Sequence, residues 1–424
     1  MSNAVSTPGT APDSAVFARL PELREGLADL YRDLHTHPEL SFAETRTAGL
    51  IAERLRALGL DVTTGVGRTG VVGVLANGDG PHVLLRADFD ALPVTEQTGL
   101  PYASGTDGVM HACGHDMHVA CLLGALDLLA GGRAHWTGTV TAVFQPAEET
   151  GAGARAMVDD GLFDRTGKPD VVLGQHVGPF PAGSLGCHAG PALAATDALK
   201  VTLYGKGAHG SRPEAAIDPV VMAASTVMRL QTVVSREIAG SDTAVVTVGV
   251  LNAGTTQNVI PDTAELKLNI RTYTEEVRKT VLAAVRRIIE GEAAAAGATR
   301  APDIEPIETF AVLVNDDDAM DRTATAFREH FGTERVFDPG PATGSEDCGT
   351  FATASGAPIC YWFFGGIDPD TFAKAEAAGT TARDIPSNHS AHFAPVVEPT
   401  LSTGVEAMTT AALTWLSPDP ENRR

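Results

Sequence analysis

The sequence predicts an α/β fold: a larger domain whose mostly parallel, mixed sheet is flanked by helices, interrupted by an inserted ferredoxin-like unit. Three observations predict it. At 424 residues the chain exceeds the size at which one core stops growing, so two domains are expected. Short apolar runs alternate with a helical stretch in the first half, as buried parallel strands do. From about Asp197 the periodicity changes to β-α-β-β-α-β, the order of a ferredoxin-like unit.

Taken in order, Met1 to Pro12 is small, polar and proline-containing, and residues 1–15 read as a disordered tail rather than a signal peptide. Ser41-Phe-Ala-Glu44 has the spacing of a capping box and opens an amphipathic helix to about Leu58, stopped by Gly59. Apolar strands follow at Val71–Leu75, Val83–Ala87, Thr139–Phe144 and Val171–Leu173, with a helical stretch at Val119–Ala130. In such a sheet, ligands gather outside the carboxyl ends of the strands. The inserted unit reads as strand 198–204, helix 217–236, strands 243–250 and 263–271, helix 274–296 and an extended 302–310. The larger domain therefore takes residues 16–192 and 312–424, ending in a helix near 400–416, and the insertion takes 193–311.

Composition bounds the partners. With 53 Asp+Glu against 31 Lys+Arg, the formal net charge is -22, a field that repels phosphate. Nucleic acid and anionic membranes are thereby excluded as partners. No apolar stretch approaches the roughly 20 residues that a membrane span requires. The five cysteines, Cys113, Cys121, Cys187, Cys348 and Cys360, are odd in number and scattered. They suit free thiols in a reducing cytoplasm better than a disulfide framework.

The chemistry gathers at strand ends. In Met110-His-Ala-Cys-Gly-His-Asp-Met-His118, a thiol and an imidazole stand two residues apart. An extended turn, bent at Gly114, puts Cys113 and His115 on one face, and that pair suits a transition metal. The strand Ala142-Val-Phe-Gln-Pro-Ala-Glu-Glu149 ends in adjacent carboxylates, one able to bind metal while the other acts as general base. The following Gly151-Ala-Gly-Ala-Arg-Ala156 matches a loose dinucleotide fingerprint, but Glu148 and Glu149 would repel a pyrophosphate there. His176 falls just past a buried strand, and His389 and His392 lie near the C-terminus. Asp88 and Asp90 close another strand, placed to orient metal-bound imidazoles, as is Asp116. Cys113, His115, Glu149, His176 and His389 are too many ligands for one open tetrahedral site and reasonable for two divalent ions. A thiolate among imidazoles points to zinc, manganese, cobalt or nickel rather than magnesium.

At this point the chain resembles the metal-dependent aminoacylase and carboxypeptidase superfamily, in its hippurate hydrolase and auxin-conjugate amidohydrolase branch. The matching stretches run in order from His35-Thr-His-Pro-Glu-Leu-Ser-Phe and Arg86-Ala-Asp-Phe-Asp-Ala-Leu-Pro, through the Cys113 and Glu149 segments and Gly207-Ala-His-Gly. Asn258-Val-Ile-Pro, Gly344-Ser-Glu-Asp and Asn388-His-Ser complete them. The resemblance implies hydrolysis of N-acyl amino acids at two metals held by Cys113, His115, Glu149, His176 and His389. It also implies that Glu148 is the base, activating the attacking water and then protonating the leaving amine. His209 would hold the substrate carbonyl oxygen, and Asn258 and Arg271 would contact substrate, Arg271 as a bidentate carboxylate clamp. The insertion would be a lid that forms a homodimer. Cys348 departs from the branch, which has an aromatic residue there, and a pocket-lining position would give this chain a different acyl pocket. Two rivals remain: a dipeptidase on the same centre, and a silent binding protein, which an intact ligand set disfavours.

Overall fold

The computed structural model describes residues 12–416. The expected tail therefore lies outside the described residues as far as residue 11, and its last part, 12–15, is instead the start of a short helix, Pro12–Phe17. Two compact units emerge among the described residues: those up to 190, 315–340 and those from 347 on form one, and 191–314 with 341–346 form the other.

The larger unit is built on an eight-stranded mixed sheet. Its order is Asp61–Val66, Gly70–Asn77, Gly138–Gln145, His82–Asp88, Val171–Pro181, Ile359–Ile367, Leu185–Gly186, Val336–Phe337. The four central strands, 138–145, 82–88, 171–181 and 359–367, are parallel, and antiparallel pairs lie outside them. These central strands are apolar almost throughout because they are buried on both faces. Helix His115–Gly131 is apolar on all sides for the same reason: it packs between helices Leu20–Thr36 and Thr400–Leu416 and against strand 82–88. Strand 61–66 escaped the sequence reading because it is an edge strand with mostly exposed, polar positions.

Register decides what this sheet presents. Asp88 pairs with Gln145, and Arg86 pairs with Gly174 in the next strand. His176, two residues beyond Gly174, is thus level with Asp88 at the carboxyl ends. The strand there runs on to Pro181, so His176 lies within it rather than just past it.

In the smaller unit the elements follow the predicted β-α-β-β-α-β order. Strands Ala195–Tyr204, Ala244–Ala253, Thr263–Thr272 and Asp303–Phe310 make an antiparallel sheet in the order second, third, first, fourth. Helices Pro219–Arg236 and Glu275–Ala295 close its core with Met222, Leu230, Val233, Val281, Val285 and Ile289. Asp218 caps the first helix through the Val220 and Val221 amides, and Thr274 caps the second through Val277. Among the described residues, no helix is long and apolar enough to cross a membrane.

Candidate metal centre

Helix 115–131 begins at a left-handed glycine. Gly114 has φ +86°, and a Cβ there would stand 2.4 Å from Val177 Cγ1. Only glycine allows the chain to turn this close to strand 171–181. Cys113 lies before that turn and His115 opens the helix, so the two straddle a helix N-terminus. The extended turn expected from sequence is replaced by this cap.

Five predicted ligands converge. The donor atoms of Cys113, His115 and His176 lie within 4.8 Å of one another, and so do those of Cys113, Glu149 and His389. Cys113 belongs to both trios. Its Sγ is 3.4 Å from His176 Nε2, and Glu149 Oε2 is 3.3 Å from His389 Nε2. His115 and His176 each have the other ring nitrogen engaged. His115 Nδ1 is 2.9 Å from the Asp90 carbonyl and 3.2 Å from Asp90 Oδ1, and His176 Nδ1 is 2.8 Å from the Val177 carbonyl. With those hydrogens donated, the Nε2 lone pairs of both rings face the cluster. His115 Nε2 and Glu149 Oε1 are buried without a hydrogen-bond partner, a costly arrangement unless a cation receives them.

The charge balance argues likewise. Burial pushes the Cys113 thiol well up, and the Glu149, Glu148 and Asp88 carboxylates push it further. A thiolate forms there only beside a cation. Burial, helped by His118, holds His176 well below the usual histidine range, in the neutral form that binds metal. For His115 burial opposes a charge, but Asp88, Asp90 and Glu149 outweigh it and lift the ring to about 10. So much negative charge around one imidazole is what two divalent ions would neutralise. These residues fit them.

His118 lies in a further possible group, with Asp88 and His115. It is no ligand. Its Nδ1 is 2.5 Å from Asp88 Oδ1 and its Nε2 accepts the Val177 amide at 2.8 Å. It staples helix to strand beside His176, a role the sequence reading missed. Asn388 was missed too: its amide donates at 3.0 Å to the carbonyls of both Cys113 and Val177, tying the His389 loop down.

The supporting carboxylates divide their work. Asp88 holds His118 and accepts from the fully buried Arg86 at 2.6 Å. Asp90 holds His115 through Oδ1, while its Oδ2 accepts from Ser41 at 2.7 Å and from the Glu149 amide at 3.1 Å. Asp116, expected to orient a ligand ring, instead lies 2.6 Å from His35 Nδ1, with His35 Nε2 3.3 Å from Glu96. The capping box is also corrected. The helix starts at Thr45 with no side-chain cap, and both Ser41 and Glu44 reach inward.

Glu148 and Glu149 sit in a single turn of 3-10 helix, Glu148–Thr150, entered through Ala147. Glu148 is buried, with Oε2 3.9 Å from His115 Nε2. Gly153 closes the turn: a Cβ there would stand 1.6 Å from the Pro146 carbonyl. Gly151, at φ +63°, ends the 3-10 turn, and Gly153 serves this close packing. Cys348 is fully buried, its Sγ 3.4 Å from where a Gly174 Cβ would be, so it packs against the sheet rather than lining an open pocket.

In the smaller unit, His209 lies in a two-stranded ribbon, paired to Val259, and Asn258 stands in the turn just before that strand, its carbonyl accepting the Gly210 amide at 2.7 Å. His209 Nδ1 accepts the Ser211 amide at 3.1 Å, leaving the hydrogen on its exposed Nε2. Arg271 already donates to the Thr343 carbonyl and, at 3.1 Å, to Asn269.

The sequence matches the family model described as peptidase family M20/M25/M40 over residues 84–387. It is 40% identical over 330 residues to an N-acetyl-L-cysteine deacetylase of Bacillus subtilis, covering 77% of this chain and 78% of that protein. It is 39% identical over 337 residues to a hippurate hydrolase of Campylobacter jejuni, covering 78% and 86% respectively. Among solved structures, a Bacillus subtilis protein described as a dinuclear metal-binding peptidase superposes with a TM-score of 0.75 at 31% identity, over 93% of this chain and 99% of that one.

Proposed function

This chain belongs to peptidase family M20/M25/M40, and from that premise we propose a binuclear amidohydrolase that cleaves N-acyl amino acids into a carboxylic acid and an amino acid. One observation carries the reading: two ligand trios share Cys113, and their orphaned His115 Nε2 and Glu149 Oε1 lie beside the Glu148 carboxylate. Cys113, His115, Glu149, His176 and His389 would hold two divalent ions, of zinc, manganese, cobalt or nickel. Such ions polarise a scissile carbonyl and acidify water when bound.

The chain's own residues do the rest. Glu148 takes the proton of the attacking water and returns it to the departing nitrogen. His209, with its hydrogen on Nε2, donates to the carbonyl oxygen as it gains charge. Asn258 and Arg271 would hold the substrate, and the engagement of Arg271 with Thr343 and Asn269 keeps its fork in one orientation.

We further propose a homodimer through the smaller unit. Its sheet has two edges. Both edge strands carry a register shift and exposed apolar side chains, Ile307 on 303–310 and Val245 and Leu251 on 244–253, but only 303–310 is also interrupted by a proline, Pro306. On helix 219–236, Val221 is 65% and Met228 72% exposed. The five cysteines form no disulfide with one another, which suits a reducing cytoplasm.

The test is a hydrolysis panel of N-acetyl, N-benzoyl, long-chain acyl and indole-acyl amino acids with Mn²⁺ or Zn²⁺. Glu148→Gln should keep two metals per chain and lose about three orders of magnitude or more in kcat. Retained turnover in that variant overturns the assignment.

A further inference from the structure

Among the described residues, four that are not glycine have a left-handed backbone: Phe42 (φ +61°), Arg68 (+87°), Ala147 (+49°) and His389 (+69°). Such conformations are costly and persist where the surroundings impose them. His389 is a predicted ligand. The other three surround one carboxylate.

That carboxylate is Glu44, which is fully buried. Its Oε1 accepts the Ala147 amide at 2.9 Å, and its Oε2 accepts the Thr69 hydroxyl at 2.6 Å. Thr69 follows Arg68, whose guanidinium lies 4.2 Å from the centroid of the Phe42 ring, two residues before Glu44. Ala147 is where the chain leaves strand 138–145 and turns into Glu148 and Glu149. Ser41 reaches the same turn from the other side, through the Asp90 oxygen that accepts the Glu149 amide. A buried carboxylate is an expensive way to fill space, and this one spends its two oxygens on a site turn and the loop behind it.

We propose that Glu44 is a positioning residue for the hydrolytic reaction: it clamps the Ala147 amide and so fixes the direction in which Glu148 and Glu149 leave the strand. The proposal rests on the reading of Glu148 as the base. Glu44 is in none of the possible ligand groups and reaches the site turn through the Ala147 amide. A small rotation at Ala147 would swing both glutamates, and displacements of about 1 Å from a productive geometry can cost about a hundredfold in rate.

The experiment compares the full chain with Glu44→Ala, Glu44→Gln and Thr69→Val, at saturating Mn²⁺. It reads kcat, KM, metal content and amide hydrogen exchange of the peptide 144–151. Glu44→Ala should lose about tenfold or more in kcat with KM and metal content within about twofold, and exchange in 144–151 should quicken. Glu44→Gln should restore kcat to within about threefold, because its amide oxygen still accepts from Ala147 while its NH₂ faces Thr69. Thr69→Val should fall between. Wild-type kcat in Glu44→Ala would overturn the proposal. So would quickened exchange spread evenly over the whole chain, or a Glu44→Gln as damaged as Glu44→Ala. If the wild-type chain hydrolyses no member of the panel, the hydrolase reading fails, and exchange in 144–151 still decides whether the clamp exists.

Discussion

Cys113 stands in both ligand trios, while His389 stands in one. That difference predicts unequal losses. Cys113→Ala should leave fewer than one tightly held metal per chain, and His389→Ala should leave close to one, measured by metal analysis after dialysis. Equal losses would separate the thiol from its shared position. His35 supplies a second prediction. Burial disfavours its charge, but Asp116 and Glu96 outweigh that and raise it to about 10; despite their own burial, Glu96 is lowered by His35 and Asp116 by His111 and His35. A group raised in the folded state stabilises fully below its unfolded value, about 6.5, and loses that contribution as pH rises towards about 10. The lowered carboxyls act in the opposite sense, stabilising above the usual carboxylate range and failing as pH falls. In metal-free protein, where His115 is raised to about 10 as well, chemical unfolding should therefore show stability declining between about pH 7 and 10, and His35→Gln should remove about 3 kcal/mol at pH 7 and make that decline shallower while the His115 part persists. Residue type alone hid this: His35 reads as one more helical histidine until Asp116 and Glu96, 81 and 61 residues away, are placed beside it.

At the scale of elements, turns do most of the positioning. The turn from Ala147 to Gly153 aims two glutamates because the Gly153 backbone lies against the Pro146 carbonyl. Gly153→Ala should lower Tm by several degrees, corresponding to about 1–3 kcal/mol of overpacking, and should reduce kcat as the turn shifts. Wild-type values of both would show that the turn relaxes freely. The same elements show what could be read in advance. The apolar strands 82–88, 138–145 and 171–181 announced themselves by buried runs, and with them the level at which the ligands stand. Ser41 and Glu44 were misread because their spacing suits a helix cap, and only tertiary partners, Asp90 and Ala147, reveal the other use. The Gly114 cap was likewise invisible: periodicity cannot say whether a Cys-Gly-His run is extended or opens a helix.

At the scale of the whole molecule, the inserted unit was legible from its alternating strands, yet its return at 341–346 was not, since six residues carry no periodicity. Its open sheet edge makes a prediction. Val245→Glu with Leu251→Glu should turn a dimer into monomers in sedimentation equilibrium, because charges facing each other across paired edges repel. A wild-type chain that is already monomeric at micromolar concentration would remove the dimer.

The central sheet has one more consequence, felt before the protein is finished. Strand 171–181 needs strand 359–367 as its neighbour, and that partner is encoded about 180 residues later. At roughly 5–20 residues per second, a ribosome takes on the order of 10 to 35 s to supply it. Throughout that interval the nascent chain carries an apolar, half-paired edge while the insertion emerges and folds. A holdase that shields such edges during translation would then govern how much of this protein survives its own synthesis.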